Sequence, residues 1–244
     1  VKFIIYLSPR TVAKYLAIIA AILAVFSIAF AVSTYVFDFF EEWMRMLDLD
    51  REMNIPTWFQ SFMLACCAFL LTIIARGKQN ESARYHRHWK TLSYIFWFMS
   101  ADEVFSIHEI FIIPEIAEKL NLPWFLHSMW VIPGTIFVIW FVKHFWKFVK
   151  HLPKPTRDRF LLAAIIYISG SLGMEMVGSY YAEWKTQQDI IYALMANLEE
   201  TLEMSGMIIF LYSLLTYVGN WQPDINIDIK ICDRSGDSQG YFSS

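Results

Sequence analysis

The stretch Tyr15–Val36, YLAIIAAILAVFSIAFAVSTYV, holds no Asp, Glu, Lys, Arg or His. As a helix rising about 1.5 Å per residue, a run of this length crosses the roughly 30 Å of hydrocarbon in a bilayer. The apolar run extends over about 14 to 37, and comparable stretches recur at about 58 to 75, 91 to 113, 124 to 142, 160 to 182 and 190 to 217. Backbone groups in lipid must be satisfied within their own segment, so each stretch predicts a helix. The expected fold class is all-α: a polytopic membrane bundle of about six transmembrane helices. Residues 1–219 read as one transmembrane domain and 220–244 as a polar cytoplasmic tail, in which Ile225, Ile227, Ile229 and Ile231 alternate as in a short strand.

Composition agrees. The 244 residues are 57% hydrophobic and 18% charged, whereas a soluble domain carries about a quarter charged residues. A net charge of −3 with no soluble basic domain excludes a nucleic-acid partner. Cys66, Cys67 and Cys232 make no disulfide framework, and the adjacent pair reads as small packing residues in the second span.

Basic residues orient the chain. Sixteen of the 20 Lys and Arg fall in the N-terminal stretch, the second loop, the fourth loop and the tail. Only Arg45, Arg51, Lys119 and Lys185 occupy the other loops. The positive-inside rule then predicts a multi-pass protein of the inner (plasma) membrane with N- and C-termini cytoplasmic and membrane lipids as its surroundings. His86, His88, His144 and His151 stand among the basic loop residues and read as contacts to anionic lipid.

The spans nevertheless carry Asp102, Glu103, His108, Glu109, His127, Glu175, Glu199, Glu200 and Glu203, and no Lys or Arg. Each acid costs about 2.5–3.5 kcal/mol at a helix centre, so seven of them require retained protons, bound cations or a wet cavity. Asp102, Ser106 and Glu109 follow i, i+4, i+7 spacing and Glu199 and Glu203 follow i, i+4, which predicts one helix face for each set. Counting from span centres puts these groups in one layer from the midplane outward. The cytoplasmic half, with Ile95, Phe98, Ile168, Met207 and Phe210, reads as dry. Gly170, Gly173, Gly178 and Gly206 read as close-packing positions. Pro133 and Gly134, mid-way along the fourth span, predict a kink.

Carboxylates with imidazoles suit a divalent metal such as Zn, Mn or Fe. In that reading His108, Glu109, His127, Glu175 and Glu203 are the metal ligands, and Asp102 or Glu199 is a general base. Hydrolysis of a lipid-borne or periplasmic substrate by metal-bound water is the reaction such a site would serve. The alternative is a proton- or cation-coupled transporter, since intramembrane acids mark such relays. A third reading is b-type haem between His108 and His127, or between His88 and His144. A fourth is a structural or partner-binding role, with protonated acids hydrogen-bonded between helices. A small cation or a lipid-like molecule is the expected substrate class.

The segments SADEVFSIHE (Ser100 to Glu109), GMEMVG (Gly173 to Gly178) and LEETLEMSG (Leu198 to Gly206) resemble a group of bacterial multi-span membrane proteins. That group shares a D-E-x4-H-E element, a later intramembrane Glu and an E-E-x-x-E-M-x-G element. The resemblance covers about residues 100 to 217 and implies a bacterial inner-membrane setting; it supplies no substrate. Membrane hydrolases of the ceramidase type also hold zinc in a helical bundle, but their His-x3-His pair is missing here.

Overall fold

A computed structural model describes residues 7–107 and 130–222. The described chain is helical: α1 (Pro9–Val36), a 3-10 turn (Glu42–Leu47), α2 (Ile55–Asn80), α3 (His86–Phe105), α4 (Val131–His151), α5 (Lys154–Ile168), a π-helical turn (Ser169–Met174), α6 (Glu175–Trp184) and α7 (Ile190–Trp221). Helices α5 and α6 join through the π turn into one 31-residue rod, Lys154–Trp184. That rod, α1, α2, α4 and α7 are each long and apolar enough to cross a membrane. Helix α3, at 20 residues, also has the length. It carries Asp102 and Glu103 in its last turn and basic residues in its first. The protein is therefore a helical membrane bundle.

Local signals start these helices. Asn54 precedes α2 and accepts the Thr57 N–H at 3.1 Å, with Pro56 in the first turn. Asp189 does the same for α7, accepting the Tyr192 N–H at 2.9 Å. Leu152 and Pro153 turn α4 into α5.

Long helix α7 is central, packing on α1, α2, α5 and the π turn. Its contact with α5 depends on Gly206: a Cβ there would stand 2.9 Å from the Ala163 carbonyl oxygen and from Tyr167 N. Gly170 in the π turn is equally tight, 2.8 Å from the Glu199 carbonyl oxygen. These two glycines match the close-packing expectation; Gly173 and Gly178 face looser surroundings.

Helices α2 and α3 pair by hydroxyls. Ser61 Oγ donates to the Ser100 carbonyl at 2.8 Å and Ser100 Oγ donates back to the Ser61 carbonyl at 3.0 Å. Further along, Ser93 Oγ reaches the Ala68 carbonyl at 3.2 Å and Thr72 Oγ1 at 2.6 Å. Cys67 is fully buried at this core, as a small packing residue should be.

One end of the bundle carries the acidic loop 38–54 and the other the turns 81–85 and 152–153, whose flanking helix ends bear Lys78, Arg87, Lys90, Lys150, Lys154 and Arg157. Toward the basic end the core is aromatic: Phe96 stacks on Phe210 at 4.7 Å, Phe160 meets Phe210 at 4.6 Å and Trp89 meets Phe148 at 4.9 Å. The dry half exists, but Phe96 fills it while Phe98 points outward.

Three expectations change. Helix α3 ends at Phe105, where Ser106 adopts a left-handed conformation (φ 46°), and residues 108–113 of the expected third span lie outside the described residues. The expected face is interrupted at Ser106, and its third member, Glu109, lies outside the described residues. The described helix Val131–His151 runs past the expected end at 142, and residues 124–129 lie outside the described residues. Its Pro133 consequently sits in the first turn, where no intrahelical N–H bond is lost and no kink results. Long cationic side chains let α4 continue past residue 142, with Lys150 Nζ folded over the Trp146 ring at 4.6 Å. The tail from 223 lies outside the described residues.

Candidate functional site

Helix α7 supplies three acids within one turn and a half. The unbroken helix keeps Glu199 and Glu203 on one face, toward the rod, while Glu200 turns toward α2. Glu203 is buried, and the Tyr167 hydroxyl of α5 hydrogen-bonds with it. Glu199 hydrogen-bonds with Glu175, the first residue of α6. Gln60 Nε2 of α2 donates to Glu200 Oε2. Glu200 also feels the charges of Glu203, Glu103, Glu199 and Glu52, so α3 and the acidic loop face the same centre.

The π turn makes this geometry possible. Its wider coil lays Gly170 against the Glu199–Glu203 turn, where a Cβ would approach Glu203 Cγ to 3.0 Å. The rod then resumes as α helix at Glu175, whose side chain reaches Glu199. π turns inside helices recur at functional sites.

Electrostatics dictate the chemistry. Two carboxylates 4 Å apart repel by about 4 kcal/mol even at an effective dielectric constant of 20. A hydrogen bond between two carboxyl groups requires a proton on one of them. Glu175 and Glu199 hydrogen-bond with each other, and Tyr167 and Gln60 supply neutral donors to Glu203 and Glu200. The arrangement gathers carboxyl groups of like charge from α3, α6 and α7 around one centre.

Of the expected ligands, Glu175 and Glu203 join this cluster, as does Glu199, the expected base. Glu103 rather than Asp102 is the α3 acid that acts on Glu200 and Tyr167. Once α3 ends at Phe105, Asp102 belongs to a terminal turn and not to the middle of a membrane helix. His108, Glu109 and His127 lie outside the described residues. Among the described residues no three His, Cys, Asp or Glu side chains stand in a metal-holding arrangement.

His88 and His144 do meet, but face to face at 5.1 Å and 23°, between Phe148 and Trp140. Axial haem ligands must point nitrogens at an iron between them, so this stack does not fit a bis-His site.

Gln60 and Tyr167 escape charge-based reading of the spans. Gln60 is the one with a usable signal: an amide in an otherwise apolar second span must find a partner.

Sequence comparison places this geometry in a family. The chain belongs to the family described as Domain of unknown function (DUF8692). The match covers residues 15–218, from the second turn of α1 to the last turn of α7, and so takes in every described element of the cluster. No curated protein and no solved structure matches the chain.

Proposed function

We propose that this protein binds a divalent cation, Zn, Mn or Fe, in its intramembrane carboxyl cluster, releasing protons as it does so. The carrying observation is the convergence of Glu103, Glu175, Glu199, Glu200 and Glu203 from α3, α6 and α7 in spans without Lys or Arg. The proposed ligands are Glu175 and Glu203 with His108, Glu109 and His127, and Glu199 passes its proton through the Glu175 hydrogen bond. Metal ligands must be deprotonated, so binding and proton release are linked. The site opens toward the acidic loop, on the non-cytoplasmic side of a bacterial inner membrane with both termini in the cytoplasm. Metal-assisted hydrolysis of a lipid-borne or periplasmic substrate depends on this ion and fails with it.

Elemental analysis of full-length protein extracted without chelator tests the proposal. About one equivalent of metal is expected in the wild type and far less in a folded His108→Ala, Glu203→Gln variant. A metal-free wild type, or equal metal in both, overturns it.

A second reading has its own observation. The Glu175–Glu199 carboxyl pair is a proton-sharing unit of the kind a proton- or cation-coupled transporter needs. The aromatic packing of Phe96, Phe160 and Phe210 toward the basic end opposes a continuous path. Proton flux into reconstituted vesicles under an imposed cation gradient, abolished by Glu199→Gln, would favour transport over simple binding.

A further inference from the structure

Three residues far apart in the sequence, Arg10, Arg159 and Tyr212, meet at the basic end of the bundle, about 13 Å along α7 from Glu203. Arg10 lies in the first turn of α1, Arg159 in the second turn of α5 and Tyr212 in the last third of α7. The Arg10 guanidinium donates a hydrogen bond to the Tyr212 hydroxyl. The Arg159 guanidinium carbon stands over the Tyr212 ring, 4.9 Å from its centroid.

Two cations gathered on one phenol repel each other, and no carboxylate offsets them. Among the described residues neither Arg10 nor Arg159 forms an ion pair. The acid next to Arg159 in the sequence, Asp158, is taken by Arg157 at 3.3 Å. Both cations are within reach of a ligand, Arg10 being exposed and Arg159 half-buried. The surface leading from them toward the bilayer centre suits a hydrocarbon chain. Helices α1 and α5 pack on α7 from two sides and barely touch each other. Asn197 of α7 meets the Ala24 carbonyl of α1, and Gly206 meets Ala163 of α5. Between these flanks Ser205, Ile209, Tyr212 and Thr216, at i, i+4, i+7 and i+11, form one half-buried face of α7. Leu162, three residues on from Arg159, is exposed beside it.

We propose that Arg10, Arg159 and Tyr212 bind the phosphate of an anionic phospholipid, with an acyl chain lying along the α7 face between α1 and α5. The phosphate accepts charge-assisted hydrogen bonds from both guanidiniums, and its charge offsets their repulsion. Basic pockets between membrane helices recognise lipid headgroups by this chemistry. A zwitterionic lipid brings a further cation to a place that already holds two. Free phosphate gains nothing from the apolar face, so the anionic lipid is the preferred occupant.

Native mass spectrometry of the full-length protein released from detergent tests this with three probes: dihexanoyl phosphatidylglycerol, dihexanoyl phosphatidylcholine and inorganic phosphate. One glycerol-lipid adduct per chain is expected, in clear preference to the other two. Arg159→Gln should weaken that adduct about tenfold, the loss of one hydrogen bond between charged groups. Arg10→Gln should do the same, which keeps the proposal testable if one of the two variants does not fold. Arg87→Gln removes an exposed cation of α3 at the same end and should leave the adduct unchanged, separating a built site from general attraction to a basic surface. Glu200→Gln should also leave lipid binding intact, so failure of the cation proposal does not carry over. Equal adducts with both lipids, phosphate binding as tight as lipid, an undiminished adduct in Arg159→Gln, or an equal loss in Arg87→Gln would each overturn the proposal.

Discussion

Two polar interfaces run through the same bundle and are built on opposite rules. Between α2 and α3, Ser61, Thr72, Ser93 and Ser100 exchange hydrogen bonds with one another and with backbone carbonyls, all neutral and all satisfied in place. Between α7 and the α5–α6 rod, Glu175, Glu199 and Glu203 face each other as like charges, with Tyr167 as a donor. The first needs nothing from outside the chain. The second sets acids against one another where neither α6 nor α7 carries a Lys or Arg. Polarity within a membrane helix thus separates into glue, where neutral partners close on each other, and site, where charges of one sign are left to be compensated.

The comparison can be broken most severely at the backbone approach that brings the acids together. Gly206→Val forces α7 away from Ala163 and Tyr167 and should cost about 3 kcal/mol or more, seen as a large drop in thermal stability in detergent. Gly170→Val should act similarly through Glu199.

Next in size is the contrast between the two interfaces. Replacing Glu175, Glu199 and Glu203 together by Gln should abolish cation binding while changing stability by less than about 1 kcal/mol, because the neutral amide keeps the shape and hydrogen bonding of a protonated carboxyl. The paired Ser61→Ala, Ser100→Ala variant should do the reverse, losing about 1 kcal/mol with cation binding intact. Denaturant titration beside metal titration of both variants checks the pair; matching behaviour would erase the distinction.

The smallest effect sits at the cap of α7. Asp189 is held below the usual carboxylate range by the Tyr181 hydroxyl, 2.6 Å away, and by the Tyr192 N–H. A carboxyl with its folded pKa depressed stabilises above its unfolded pKa, and that contribution is lost as pH falls through the folded value. Asp189→Ala should therefore lower stability modestly at neutral pH and much less in acid, measured as the melting-temperature difference across pH.

Much of this architecture is legible in the sequence. Apolar run length gives the membrane helices, and the spacing of Glu199 and Glu203 gives one face because α7 is unbroken. The same periodicity is interrupted at Ser106, since run length carries no signal for the left-handed residue that ends α3. The shift of α4 has a similar origin: hydropathy ends at the first lysine, whereas the helix continues while its cations snorkel. Within the site, Glu175 and Glu203 stand out as charges in apolar surroundings. Gln60 and Tyr167 do not, because their role depends on which helix lies opposite, and that is set by the Gly206 and Gly170 contacts.

In the proposed function the acids of α6 and α7 hold protons in place of a cation. The most direct test is the release of protons when Zn²⁺ or Mn²⁺ is added to weakly buffered, full-length protein at neutral pH. Stoichiometric binding with about one or more protons released per ion is expected, and both should vanish in Glu199→Gln, Glu203→Gln. Binding without proton release, or release that survives in the variant, would contradict the account.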